Sequence, residues 1–335
     1  MVFDPERIWD ELTGLKAGPG WLMRRLDPLT KVGVVLGIHH PGCRPSVLVE
    51  VHSGTADEGR DWPNTRGVEV KPDRWGEALG IRLTLTEPAL RSVFASLVVD
   101  LVSLSSGVDP AKRVRARLEA WLSLLSRRRS DGMERHAILA LLSELEIFRR
   151  LSSDIPIPIL VNGWEGPLDD LETGRGLHDF RIPGVRLEVK STARVPVHAV
   201  TISRHAQLDP DVVGNDALLL VVVCWSSETK GAQTLPEMVA SVRALTDLHP
   251  IARLDLDDRL RAAGWIDADT GLYADRAWNL LEIRWYKVAG DFPRIRCRDM
   301  SPGIIDGEYS ISIQACETWR VDEVKAKQIA SGQCT

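Results

Sequence analysis

The chain has 335 residues, enough for two core-forming domains or for one catalytic core with a large elaboration in front of it. With 44% hydrophobic and 27% charged residues, its composition excludes the disordered, collagen-like and membrane-embedded classes. A formal charge of -5 excludes a global attraction to polyanions, so any grip on nucleic acid must come from a local basic surface or a bound cation. From Lys31 to Leu85 short β-rich runs (Val32 to Ile38, Ser46 to Val51, Gly67 to Val70, Ile81 to Leu85) are broken by Pro and Gly clusters and predict a small antiparallel sheet. His39-His40-Pro41-Gly42-Cys43 lies between two of these runs and reads as a hairpin loop, not as a metal or thiol site. Apolar residues at three- and four-residue spacing then predict helices over Glu87 to Leu104 and Pro110 to Leu125, the second capped by Asp109. Arg127, Arg128 and Arg129 close it, reading as a solvated run that complements the helix dipole; a domain boundary is placed near Ser130.

Met133 to Leu151 predicts an amphipathic helix with a stripe of Ile138, Leu141, Leu142, Leu145 and Phe148. Strands are predicted at Ile157 to Val161, Leu177 to Ile182, Val185 to Ser191, His198 to Ser203 and Ala217 to Trp225, and a helix at Leu235 to Leu245. Ala217 to Trp225 is the longest apolar stretch; at nine residues it falls far below the roughly 20 of a membrane helix and suits a buried strand. A helix at Leu256 to Ala263 and β-like runs at Leu280 to Tyr286 and Tyr309 to Ile313 complete the pattern. The expected fold class is α/β: a mixed sheet flanked by helices, preceded by a β-plus-helical N-terminal region. Three segments are expected: residues 1–130, a core at 131–250, and a C-terminal elaboration at 251–335. Five scattered cysteines without a Cys-x-x-Cys pair read as reduced thiols, and the acidic first ten residues read as no export signal, so a cytoplasmic protein without membrane contact is expected.

The chemistry concentrates in Leu177 to Lys190. Pro183-Gly184 marks a tight reversal, because Pro presets φ at one turn position and Gly accepts positive φ at the next. With these two residues as the whole loop, Ile182 pairs with Val185 and Asp179 lies opposite Glu188; a longer loop alters that register. Two carboxylates roughly 4.5 to 5.5 Å apart at Cβ repel unless a cation lies between them. Alternation puts Lys190 on the face of Glu188, with Leu187 and Val189 turned into the core. Hard oxygen donors without His or Cys companions suit Mg²⁺ or Mn²⁺ and disfavour zinc. The competing reading is a surface hairpin with solvated charges. Val189-Lys190-Ser191-Thr192 is no phosphate-cradling loop, since the Gly-x-x-x-x-Gly that must precede Lys-Ser is missing.

Asp179, eight intervening residues, then Glu188-Val189-Lys190 resembles the PD-(D/E)XK superfamily of restriction-type nucleases. Ala140 to Leu145, Trp164, Gly166-Pro167, His178-Asp179-Phe180, Glu188 to Thr192, His198, Ile202-Ser203, Gln207-Leu208 and Asp291 to Arg294 are similar to an uncharacterised bacterial PD-(D/E)XK family found near restriction and phage-defence genes. The resemblance covers roughly Met133 to Ile313 and implies a nuclease core at 131–250. His178 stands where the superfamily name expects Pro, which leaves the ligand in place. The resemblance implies a metal set of Asp179, Glu188 and Val189, a water-orienting Lys190 and a helix glutamate, Glu144. Helical geometry alone does not separate Glu144 from Glu146. Gln207 is a further candidate for positioning water or phosphate, and His178 is as consistent with packing as with supporting the site. Trp164 is expected in the core rather than as a stacking platform.

The implied activity is a Mg²⁺- or Mn²⁺-dependent DNA endonuclease leaving 5′-phosphates in a restriction or phage-defence system. Helicase, methyltransferase or ATPase subunits are its implied partners, and a homodimer its implied assembly. A catalytically inactive DNA-binding or scaffold subunit with the same fold is the alternative.

Overall fold

The computed structural model of the protein describes residues 3–15, 18–26, 32–50, 65, 67–75, 78–104, 110–127, 132–165, 176–227, 232–301, 303–304 and 306–333. They divide into two units, Met1–Gly132 with Ile266–Asp269, and Met133–Trp265 with Thr270–Thr335. Asp109, Arg128, Arg129, Ser130 and Gly166-Pro167 lie outside the described residues.

In the first unit α1 (Pro5–Thr13), capped by the Asp4 carboxylate, precedes β1 (Gly20–Arg25), β2 (Val34–His40), β3 (Arg44–Glu50), β4 (Val68–Trp75) and β5 (Ala78–Leu85). The five strands form one antiparallel sheet in the order β1-β2-β3-β5-β4, and β2 and β3 meet through the short loop at 41–43, as the sequence pattern implied. α2 (Arg91–Leu104) and α3 (Pro110–Arg127) follow. Leu36, Val47, Leu83, Phe94, Leu97 and Leu122 belong to one apolar cluster that unites sheet and helices. Trp9 from α1 joins it, stacked on Phe94 at 5.4 Å between ring centroids, with its indole N–H bonded to the Ser46 carbonyl at 3.2 Å.

The second unit opens with α4 (Arg135–Leu151) and α5 (Ile157–Gly163). Ile157 to Val161 is therefore helical, not the strand its β-branched residues predict. Pro158 falls in the first helical turn, where its missing N–H is one of the unpaired donors anyway. β6 (Phe180–Ile182), β7 (Val185–Thr192), β8 (Ala199–Ile202), α6 (Pro210–Val213), β9 (Ala217–Ser226), β10 (Gln233–Thr234), α7 (Leu235–Leu245) and α8 (Pro250–Ala262) come next. The chain ends through α9 (Thr270–Tyr273), β11 (Ala277–Lys287), β12 (Tyr309–Ser312), α10 (Ile313–Cys316), β13 (Arg320–Val321) and α11 (Glu323–Ala330).

The main sheet runs β10-β11-β9-β7-β6, with β13 also paired to β11. β7 and β9 are parallel and the other pairings antiparallel, which makes it a mixed sheet between helices and so an α/β fold. Strand β9 explains its unbroken apolar run. Leu219, Val221, Val223 and Trp225 join the cluster that contains α4 and α7, while Leu218, Leu220, Val222 and Cys224 join a second cluster with β8 and β12. Both faces are covered, so a period-two strand reads as continuously hydrophobic. β11 is a central strand of this sheet, so residues 277–287 belong structurally with the earlier strands.

Candidate active site

Gly184 takes φ +85°, the positive value that the turn after Pro183 needs and that costs only a glycine nothing. Ile182 then pairs with Val185, Arg181 with Arg186 and Phe180 with Leu187, which leaves Asp179 immediately before the paired residues of β6 and Glu188 immediately after Leu187 on β7. Phe180, Ile182, Val185, Leu187 and Val189 enter the α4-side cluster. Alternation therefore turns Asp179, Arg181, Arg186, Glu188 and Lys190 to the other face. A second contact fixes the β6 end. A Cβ at Gly163 would lie 2.9 Å from the Arg181 carbonyl, so glycine lets α5 approach the strand, Trp164 bridges to Phe180, and Glu165 N–H bonds to the Asp179 carbonyl at 2.9 Å.

Glu188 and Lys190 meet there, with Asp179 beside them and Glu144 on α4 near enough for their charges to act on it. The Asp179 carboxylate accepts the Val189 N–H at 2.6 Å. Lys190 Nζ lies 2.6 Å from Glu188 Oε1 and donates to Ser203 Oγ and Gln207 Oε1, both at 3.2 Å. Gln207 Oε1 also accepts the Arg204 N–H at 3.3 Å, which fixes the amide's orientation beside the lysine. From α4, Glu144 accepts the Trp164 indole N–H at 2.8 Å and feels the charges of Asp179, Glu188 and Lys190. Glu146 instead receives Arg149 and Arg150, the latter at 2.8 Å. The structure thus separates two glutamates that helical spacing could not, and places Glu144 alone of the two in the cluster. Trp164 is fully buried in the core, and His178 Nε2 meets the Gln207 carbonyl at 3.0 Å.

Burial dominates the electrostatics. It pushes the Glu188 carboxyl up to about 8, helped by the Asp179 charge and opposed by Lys190. It lifts Asp179 to about 6 against the pull of Lys190 and the Val189 N–H, and it raises Glu144 well above the ordinary range. For Lys190 burial acts downward, but Glu188 and Asp179 outweigh it and hold the ammonium above its usual value. His178 falls to about 4 through burial, with the charges of Arg186, Arg181 and Lys190 adding to the effect. Glu188 Oε2 is buried without a hydrogen-bond partner. An orphaned carboxylate oxygen among mutually repelling acids is the feature a cation would satisfy.

Among the described residues no three His, Cys, Asp or Glu side chains enclose a metal by themselves. Mg²⁺ does not need such a cage, since one or two carboxylates plus water and substrate phosphate suffice, and Asp179 with Glu188 supplies that pair. Ser203, Arg204 and Trp164 were not foreseen as members of the site. For Trp164 and Ser203 the signal was confined to their place in the resembling strings, and Arg204 had none, because neither periodicity nor spacing links them to β7.

Over residues 5–314 the chain matches a family described as "Putative PD-(D/E)XK family member, (DUF4420)". The protein belongs to this PD-(D/E)XK family. The match extends through the first unit as well as the second, farther than the resemblance in the sequence motifs reached. Family membership makes a nuclease-type hydrolase the coarse reading of the protein, and PD-(D/E)XK nucleases generally use divalent metals. No curated protein and no solved structure matches the chain. No helix among the described residues is long and apolar enough to cross a membrane.

Proposed function

We propose that this PD-(D/E)XK family member is a Mg²⁺- or Mn²⁺-dependent DNA endonuclease of a prokaryotic restriction or phage-defence system, leaving 5′-phosphate ends. The observation that carries this reading is the convergence of Glu144, Asp179, Glu188 and Lys190, with one buried Glu188 oxygen unpartnered. Asp179 and Glu188 would hold the cation. Val189, whose side chain enters the core, could join them only through its backbone carbonyl. Bound there, the cation supplies Lewis acidity toward a phosphate oxygen and an attacking water. Lys190 sets a fixed positive charge beside the reacting phosphate, where negative charge grows during phosphodiester hydrolysis. Gln207 and Ser203 hold that ammonium in place, and Trp164 holds Glu144. Helicase, methyltransferase or ATPase subunits would deliver the DNA, and a homodimer would allow both strands to be cut.

The test is incubation of the purified protein with duplex DNA and Mg²⁺, followed by analysis of product ends. Wild type is expected to cut, and Asp179→Ala and Lys190→Ala to lose at least ~10²-fold in rate while retaining a cooperative melting transition. Added Mg²⁺ should also raise the melting temperature of wild type but not of Asp179→Ala, because a ligand of the native state stabilises it. Intact DNA across both metals, with no thermal shift, would leave the inactive scaffold as the surviving reading.

A further inference from the structure

Strand β6 carries a second feature beside the carboxylates. Arg181 lies directly across from Arg186 in the hairpin register. Like charges facing each other across strands are destabilising, so the pair runs against the interest of the fold. Arg186 cannot turn away. Its Nη1 is tied to Asp216 at 2.6 Å and to the carbonyls of Ile182 and Val185 at 3.1 Å each. Arg181 is exposed and makes no ion pair or side-chain hydrogen bond among the described residues. Its position is set by alternation. It is two residues along the chain from Asp179, which immediately precedes β6.

From these observations, and resting on the nuclease reading above, we infer that Arg181, backed by Arg186, is a phosphate-binding subsite that takes the DNA backbone phosphate next to the one being cleaved. A guanidinium is planar and forks toward two oxygens of one phosphate, which suits it to fix the strand's direction over the carboxylates. The anion also removes the conflict between the two arginines. In a protein of net charge -5, a local device of this kind is what DNA contact requires.

The experiment measures binding of a short fluorescent DNA duplex by anisotropy over a range of salt, in Ca²⁺, for wild type, Arg181→Ala, Arg181→Lys and the exposed control Lys325→Ala. Arg181→Ala is expected to weaken binding about tenfold and to lower the slope of log K against log salt by about one. Arg181→Lys should keep the slope and lose part of the affinity, because the charge stays and the fork is lost. The charge-matched control should change neither, which separates a local contact from net charge. Wild-type binding with an unchanged slope in Arg181→Ala overturns the subsite alone. If wild type neither binds nor cuts DNA, the DNA reading falls and the subsite falls with it.

Discussion

Glu188 shows how far a single side chain can work against stability. It is 1% exposed, one of its oxygens has no partner, and it interacts electrostatically with two further carboxyls, Asp179 and Glu144. One ammonium, Lys190, faces all three acids. Replacing Glu188 by Gln keeps the shape and removes a carboxyl whose ionisation burial opposes, pushing it up to about 8, while Lys190 keeps Gln207 and Ser203. Glu188→Gln is therefore expected to stabilise the protein by about 1 kcal/mol, a rise of ~2–4 °C in melting temperature measured in chelator, while abolishing cleavage. Lys190→Met removes the ammonium that pairs with Glu188 and should lower the same midpoint by several degrees. A drop in melting temperature for Glu188→Gln would mean instead that the ion pair with Lys190 outweighs both the repulsion and the cost of burial. Of this constellation, Asp179, Glu188 and Lys190 were legible because a period of two and one turn fix their faces. The choice of Glu144 was not, because α4 is buried on most sides and both glutamates lie off its stripe.

At the level of elements, what the sequence disclosed follows the strength of its periodicity. α4, β7 and β9 emerge from the pattern because their apolar residues repeat over eight residues or more. α5 does not. Its seven residues are mostly β-branched or Pro, and only the position of Pro158, unwelcome inside a strand but harmless in a first helical turn, betrays the helix. β1, at six residues, and α1, at nine, also went unread. Tertiary ties between distant segments were also invisible. Asp209 caps α6 through the Asp211 N–H at 3.0 Å and accepts the Cys297 N–H at 2.7 Å, joining the turn that carries Gln207 to a segment 88 residues later. Burial acts to raise the Asp209 carboxyl, but the bonds from Cys297 and Asp211 outweigh it and hold it below its ordinary 3.8. A depressed carboxylate contributes stability that is fully present above 3.8 and is lost as pH falls through the folded value. Asp209→Ala should thus cost about 1–3 kcal/mol at neutral pH, and the gap to wild type should narrow only below about pH 3.8. Denaturant titrations at neutral and acid pH read this directly, and a constant gap at every pH would disprove it.

On the scale of the whole molecule, the chain builds two units, each with an apolar interior of its own. All the candidate site residues, from Glu144 to Gln207, belong to the second unit, while the family match begins at residue 5 in the first. Sequence alone exposed the change in pattern between them, from short antiparallel strands to a helix followed by long strands. It could not show that Ile266–Asp269 returns to the first unit, because four residues carry no periodic signal. Ile266 is 1% exposed and belongs to the same apolar cluster as Leu36. Separate interiors imply that unfolding is not a single all-or-none event. Calorimetry is expected to resolve two transitions. Leu36→Ala removes a fully buried side chain from the first interior and should lower one transition, while Leu142→Ala should lower the other, each by ~2–5 kcal/mol. Because the carboxylates and Lys190 depend on the second interior, thermal loss of cleavage should follow the Leu142→Ala transition and be indifferent to Leu36→Ala. A single transition that both substitutions shift equally would show instead that the two interiors melt together, and that the first unit supports the site through cooperative folding.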